Sequence, residues 1–347
     1  MPMTYTTTLI PAGSAAPPET ERRASRDLMR RVRWKPAEIL FWLVAAASFF
    51  LLPDRHLLLS EIVILGLFAL SLDLIIGYAG VVSLGHGAFF GLGAYAAGLT
   101  SVHLTGEPLT GLAIAGLAAG LLGLLTGPLL LLRASDLTRL MVTLGIAMLL
   151  LEAANRAAWL TGGADGLQGV MIDPLFGRFE FDLFGTTAYA YCLVVTFVTF
   201  LVARRVVSSP YGLSLRAIRD NALRARSMGI PVGSRILGIY AFSAMIAGLA
   251  GGLLTQTTMF VSLDVLAFHR SADVLLVLVL GGVGYLYGGL VGAIVFKLLQ
   301  DWFSAITPEY WMFWMGLVLL IVVLIGRDRI DNAPRALLRR IRGEGRA

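Results

Sequence analysis

Apolar runs close to the roughly 20 residues needed to cross a bilayer recur along most of the chain, separated by short polar stretches. The runs are continuous and lack period-2 alternation, which favours helices over a transmembrane barrel. The pattern predicts spans at residues 37–52, 57–76, 109–132, 140–160, 187–203, 236–257 and 311–325. Pro53, Asp54 and Arg55 read as a short outer turn. Residues 161–185, with Asp165, Asp173, Glu180 and Asp182 against Arg178, read as an outer loop.

Two apolar stretches are crowded with glycine. Residues 77–100 read GYAGVVSLGHGAFFGLGAYAAGLT, and residues 281–289 read GGVGYLYGG. Glycine costs roughly 1 kcal/mol against alanine inside a helix, so such runs imply tight helix contacts, a broken helix, or both. Gly87 and Gly91 form a GxxxG pair suited to close backbone approach. The segment 273–303 is long for one crossing. Two short crossings broken at its glycines give about ten in total and return the C-terminal tail to the side of the N-terminal one. Glycine interruptions in opposite halves point to a central site between the halves.

Charged residues make up 14% of the chain and apolar ones 57%, with a mean hydropathy of +0.79. A soluble domain carries about 25% charged residues. The fold class is therefore all-α, a polytopic membrane protein with some discontinuous helices. Arg22, Arg23, Arg26, Arg30, Arg31, Arg33 and Lys35 precede the first run, and Arg335, Arg339, Arg340, Arg342 and Arg346 follow the last. The positive-inside rule places both ends in the cytoplasm. Clusters that flank spans argue against nucleic-acid binding. The organisation expected is a disordered, basic tail at 1–35, a transmembrane domain at 36–326 with a cytoplasmic loop at 204–235, and a basic tail at 327–347. A lone cysteine, Cys192, excludes an intramolecular disulfide and a cysteine-based metal site.

The chemistry of catalysis is missing from the sequence. There is no GxxxxGK[ST] loop, HExxH or GxSxG, and His56, His86, His103 and His269 are scattered. Neither cofactor nor metal is expected. Asp73 and Glu61 fall near span ends and read as interface residues, and Glu152 with Arg156 reads as an i,i+4 pair. His86 lies among glycines beside Ser83, suiting either a pathway or a hydrogen-bonded packing role. The one long basic interruption in the second half is RRVVSSPYGLSLRAIRDNALRARSMGIPVGSR, residues 204–235. Its 213–229 stretch joins helix formers, arginines and the apolar Leu215, Ile218 and Met228, as a docking element for another protein would. Two classes remain: the passive membrane half of a machine powered elsewhere, or a self-contained, ion-coupled secondary transporter. The second needs a carboxylate deep in the bilayer.

GYAGVVSLGHGAFFGLGAYAAG, TGGADGL, SSPYGLSLRAIRDNALRARSMGI and LVLGGVGYLYGGLVGA together resemble the branched-chain amino acid ABC transporter permeases of the LivM/LivH type, over residues 57–325. The resemblance implies a permease subunit of an importer in the bacterial inner membrane and no enzyme activity of its own. Its partners would be two ATP-binding cassette subunits, a second LivH-like permease and a periplasmic solute-binding protein. It implies ATPase coupling through Arg216, Arg219, Asp220, Asn221, Ala222 and Gly229. It implies a substrate pathway lined by Ser83, Gly85, His86, Gly87, Tyr95 and Thr143. The chain departs from relatives at RASDLTRL, residues 133–140, and at Met148, where many carry Glu. Branched-chain amino acids, urea, short amides and aromatic acids are the solutes that the resemblance admits.

Overall fold

The computed structural model describes residues 36–131, 136–182 and 184–325. The expected basic tails and the turn at Arg133 lie outside the described residues. Among those described, the regular elements are all helices, with only isolated bridges at Leu167–Val261 and Leu175–Phe179.

Helices α1 (Pro36–Leu51) and α2 (His56–Asp73) are joined by a 3-10 turn at Pro53–Arg55, where proline sets the first turn. A wide π turn, Leu74–Ala79, ends α2, and Gly80 closes it in the left-handed conformation. Then follow α3 (His86–His103), α4 (Pro108–Leu130), α5 (Asp136–Arg156), the single turn α6 (Ala158–Thr161) and α7 (Thr186–Ser208). Two short helices, α8 (Pro210–Asp220) and α9 (Ala222–Ser227), lead into α10 (Val232–Thr258). The chain ends with α11 (Phe268–Gly281), α12 (Gly288–Ile306) and α13 (Trp311–Ile325). Six helical stretches among the described residues are long and apolar enough to cross a membrane: Pro53–Ala79, α4, α5, α7, α10 and α12.

Both glycine runs break their helices. Residues 80–85 leave the helical conformation before α3 begins at His86, and residues 282–287 separate α11 from α12. Of the two expectations for residues 77–100, tight contact and a broken helix, the break is present. The first of these residues complete α2, because the left-handed Gly80 stops the helix, and α3 starts nine residues later than the run of apolar residues suggests.

Helix α2 is apolar on every side and forms the spine of the bundle, buried nearly throughout its second half. Helices α3, α4 and α10 lie against one another through small residues. A Cβ on Gly93 would meet the backbone of Gly248, and one on Gly251 would meet the Phe90 carbonyl. Without a hydrophobic force between helices in lipid, such close approach supplies the dispersion contact that holds them together. The GxxxG pair in α3 faces elsewhere: Gly87 lies against Ser271, and Gly91 against Val265 and Leu266. Helices α1, α5 and α13 are peripheral, with little or no burial in the chain.

Candidate functional site

The bundle has two ends. One carries the turn at 53–55, the 162–185 loop and the turn at 259–267, and is here the loop end. The other carries α8 and α9, and is the coupling end.

Between them lies a buried polar layer centred on His86, at the start of α3. Its Nε2 is 3.0 Å from Ser71 Oγ on α2 and 3.2 Å from Ser243 Oγ on α10. Ser71 Oγ donates to the Phe68 carbonyl at 2.6 Å, and Ser243 Oγ donates to the Ser71 carbonyl. Each hydroxyl has one hydrogen and both are committed, so Nε2 carries the imidazole proton and donates to the serine lone pairs. The ring stacks on Phe68 at 5.9 Å, and Phe68 stacks on Phe90 at 4.5 Å. The preceding turn is wedged between two helices. Leu84 N–H donates to Thr143 Oγ1 on α5 at 3.2 Å, Gly87 N–H donates to Ser271 Oγ on α11 at 2.8 Å, and a Cβ on Gly85 would strike the Thr143 backbone. Ser83, Tyr95 and Thr143 are all buried. Ser83 Oγ, His86 Nδ1 and Tyr95 Oη have no hydrogen-bond partner among the described residues. The six pathway candidates thus fall into two groups: Gly85, His86, Gly87 and Thr143 meet in one layer with Ser83 beside them, and Tyr95 lies further along α3.

Nearer the coupling end the last turns of α2 touch the 282–287 break. Asp73 Oδ1, at the last position of α2, accepts the Gly284 N–H at 2.6 Å, and a Cβ on Gly77 would lie 2.8 Å from Gly284 Cα. The Arg219 guanidinium of α8 donates to the Gly77 carbonyl, and its aliphatic stem covers Gly80. Arg216 lies over the Tyr78 ring, 5.3 Å from its centroid. Helix α8 is amphipathic: Gly212, Leu215 and Ile218 are buried against the chain's own bundle. Tyr211 Oη anchors it further by donating to the Arg235 carbonyl at 2.7 Å.

The coupling candidates therefore separate by direction. Arg216 reaches the Tyr78 ring and Arg219 the Gly77 carbonyl at the end of α2, although Arg219 is 42% exposed and also lies 3.6 Å from the Asp220 carboxylate. Asp220, Asn221 and Ala222 are exposed. Asn221 ends α8 and caps α9, its Oδ1 accepting the Arg224 N–H at 2.9 Å. Gly229, at φ +80°, closes α9 in a Schellman arrangement, with Ile230 N–H on the Ala225 carbonyl and its own N–H on Arg226. Beside the arginines of α9, Leu223 and Met228 are 78% and 72% exposed. Of the apolar residues expected on a docking face, Leu215 and Ile218 face the bundle and Met228 faces out.

A cavity of about 400 Å³ opens toward the loop end, between α2, α3, α10, α11 and α12, and its walls include Phe68 and Phe90. A second, of about 690 Å³, lies at the coupling end among Glu38, Tyr78, Arg204, Arg216, Arg219 and Gly284. The His86 layer and the Asp73–Gly284 contact lie along α2 between them, since α2 and its π turn carry Phe68, Ser71, Asp73 and Gly77 in succession.

Asp73, expected near a span end, is the last residue of α2 and is fully buried within the chain, where the 282–287 break brings a backbone N–H to it. The pairing of Glu152 with Arg156 is present, at 2.7 Å on the surface, and Glu61 pairs with Lys297 at 2.7 Å. Ser71, Ser243, Ser271 and Gly284 were not singled out: Ser71 meets His86 across the break that separates α2 from α3, and the other three have partners more than a hundred residues away, which no local pattern marks.

The family model described as "branched-chain amino acid transport system / permease component" matches residues 56–323. The high-affinity branched-chain amino acid transport permease LivM of Escherichia coli is 29% identical over 290 residues, covering 77% of this chain and 66% of that protein. Its counterpart in Salmonella typhimurium is 28% identical over the same shares. A probable LivH of Methanocaldococcus jannaschii is 26% identical over 249 residues, covering 69% of this chain and 76% of that one. The chain thus spans just under two thirds of the length of the LivM proteins it matches. No solved structure gives a significant match.

Proposed function

The chain belongs to the branched-chain amino acid transport permease family, and from that premise we propose that it is the membrane-spanning subunit of an ATP-driven amino acid importer. It does no covalent chemistry. The proposed assembly pairs it with a second, LivH-like permease, two ATP-binding cassette subunits at the coupling end and a solute-binding protein at the loop end. The loop end then faces the periplasm of a bacterial inner membrane, and both termini are cytoplasmic. Ten crossings follow if α1, α3, α11 and α13 join the six longer stretches. The proposed division is tail 1–35, permease 36–326 with coupling loop 204–235, and tail 327–347.

One observation supports the mechanism most: Arg219 joins the coupling helix to the carbonyl of Gly77, in the π turn that meets the 282–287 break and leads into the 80–85 one. A charge-assisted hydrogen bond is among the stronger non-covalent links available. In the proposed cycle the ATPase dimer grips the exposed face of α9 through Leu223, Met228 and the arginines. Displacement of α8 pulls on Gly77 through Arg219. The breaks at 80–85 and 282–287 absorb the motion as hinges, and access alternates between the two cavities. Ser83, His86 and Tyr95 contribute polar groups along this path.

The test separates docking from transmission. Arg219→Ala is expected to retain the ATPase subunits through purification and to hydrolyse ATP, while uptake falls about tenfold or more, the equivalent of losing one charged hydrogen bond. Leu223→Asp is expected to lose the ATPase subunits. Normal uptake by Arg219→Ala contradicts the mechanism. The buried Asp73 is the one feature a self-contained, proton-driven carrier would share. Uptake into vesicles by this chain alone, driven by a pH gradient without ATP, would favour that reading.

A further inference from the structure

We propose that the apolar pocket beneath the 175–179 hairpin is a phospholipid site, in which one acyl chain lies between α1, α4 and α7 at the loop end. The site is separate from the loop-end cavity and stands whether or not the import reading does.

The pocket has a volume of about 450 Å³ and is bounded by Phe49 at the end of α1, Leu109 at the start of α4, Tyr191 and Val195 on α7, and Leu175 and Phe179 of the hairpin. No charged side chain lines it among the described residues. The Tyr191 hydroxyl on its wall already donates to the Pro108 carbonyl at 3.4 Å, and the Thr186 hydroxyl to Asp182 at 2.7 Å. The size is within the range of small-molecule sites. A polar solute would lose its water here for little in return, whereas an aliphatic chain needs only contact. Val194 lines the pocket, and Val198 and Val202 continue from it at one-turn intervals down α7, all three exposed. The pocket therefore runs, without a polar break, into the outer apolar face of a helix long enough to cross a bilayer. Helix α1 has no buried residue of its own, so a chain seated between it and α7 adds contact that the protein alone does not supply.

Phe176 is an independent sign of an occupant. The hairpin turns at Phe176 and Gly177, with φ of +54° and +68°, and Leu175 and Phe179 bridge across it. Tight hairpin turns with positive φ at both central residues favour Asn, Asp and Gly, and a bulky aromatic there is strained. Such a conformation persists where the surroundings hold it. Phe176 is nevertheless 73% exposed, so its own chain does little to hold it, while its side chain lines the pocket. An acyl chain beneath the ring supplies the missing contact. At the mouth, Arg178 and Glu180 stand on either side of Phe179 and are exposed, as is Glu107 just before α4. Asp182 is turned to α7 by Thr186 and Thr187, and the Asp173 carboxylate lies against Gly106. The mouth thus carries charges of both signs, which suits the phosphate and ammonium of a zwitterionic headgroup better than a purely anionic one.

The experiment takes the full chain in detergent with its co-purified lipid removed and measures its melting temperature as dioleoyl phosphatidylethanolamine is added back. Native mass spectrometry counts the lipids retained. A ligand that binds only the folded state raises the melting temperature, and the natural sequence is expected to gain a few degrees. Ala190→Phe, whose ring fills the pocket, is expected to retain one lipid fewer and to lose most of that gain. Phe176→Gly suits the positive φ and removes the overhanging ring. It is expected to melt close to the natural sequence without lipid and to gain little when lipid is added, whereas a hairpin that matters only for folding would leave the lipid gain intact. Equal gains in all three proteins, or none in the natural sequence, overturn the site. If Ala190→Phe keeps its lipid gain and instead releases a second permease from the assembled complex, the pocket is a contact between subunits and the lipid site is overturned as well.

Discussion

Gly77 shows why single positions matter at the junction. A Cβ there would lie 2.5 Å from Gly284 N and 2.8 Å from its Cα, both backbone atoms that cannot rotate away. Gly284 itself sits at φ +83°, a conformation that side chains disfavour. Gly77→Ala is predicted to push the π turn of α2 away from the 282–287 break, costing roughly 1–3 kcal/mol by overpacking, read as a lower melting temperature with reduced uptake. Asp73 separates charge from geometry at the same place. Asp73→Asn keeps an acceptor for the Gly284 N–H and is expected to melt near the natural sequence. Asp73→Ala leaves that N–H unsatisfied and is expected to cost about 1–3 kcal/mol. The glycine runs were legible as interruptions because glycine is costly within a helix. Their mutual contact was not, since nothing within residues 74–85 names 284 as a neighbour. The burial of Asp73 was not legible for the same reason: span position says nothing of the backbone N–H that arrives from residue 284 and makes that burial tolerable.

Among the elements, the contrast is between helices held by their own chain and helices with outward faces. Helices α3 and α10 meet where a Cβ on Gly251 would collide with the Phe90 carbonyl. Gly251→Leu is therefore predicted to prevent that approach and lower the melting temperature of the purified chain sharply. Gly145 on α5 has nothing within 4 Å of its added Cβ. Gly145→Ala is predicted to leave the melt unchanged or raise it, by the roughly 1 kcal/mol that alanine gains over glycine in a helix. Equal losses from the two substitutions would contradict this packing. The existence of most long helices was readable from apolar runs, while their burial was not. Helices α2 and α5 both read as apolar spans, yet one is the spine and the other lies at the edge. The basic loop was legible from its composition as the long polar interruption between two spans. That Arg216 and Arg219 reach the end of α2 depends on Leu215 and Ile218 burying the neighbouring face of α8 against the bundle.

For the whole molecule, α2 links the two ends. It passes the loop-end cavity, the Phe68 ring, the Ser71–His86 layer and Asp73, and ends at the Gly77 carbonyl that Arg219 holds. A displacement of α8 therefore has a direct mechanical route to the breaks that separate the cavities, and the central claim is that motion travels through this one guanidinium. Tyr285 lies in the 282–287 break and is exposed at the coupling-end cavity, so it can report that motion. The most direct measurement places a single cysteine at position 285, with Cys192 replaced by alanine, in the reconstituted importer. The rate of labelling by a thiol reagent is then compared with and without ATP and vanadate. The account predicts a several-fold change in rate with nucleotide state in the Arg219 protein, and no change in Arg219→Ala although ATP is still hydrolysed. The same nucleotide-dependent change in both proteins would contradict it.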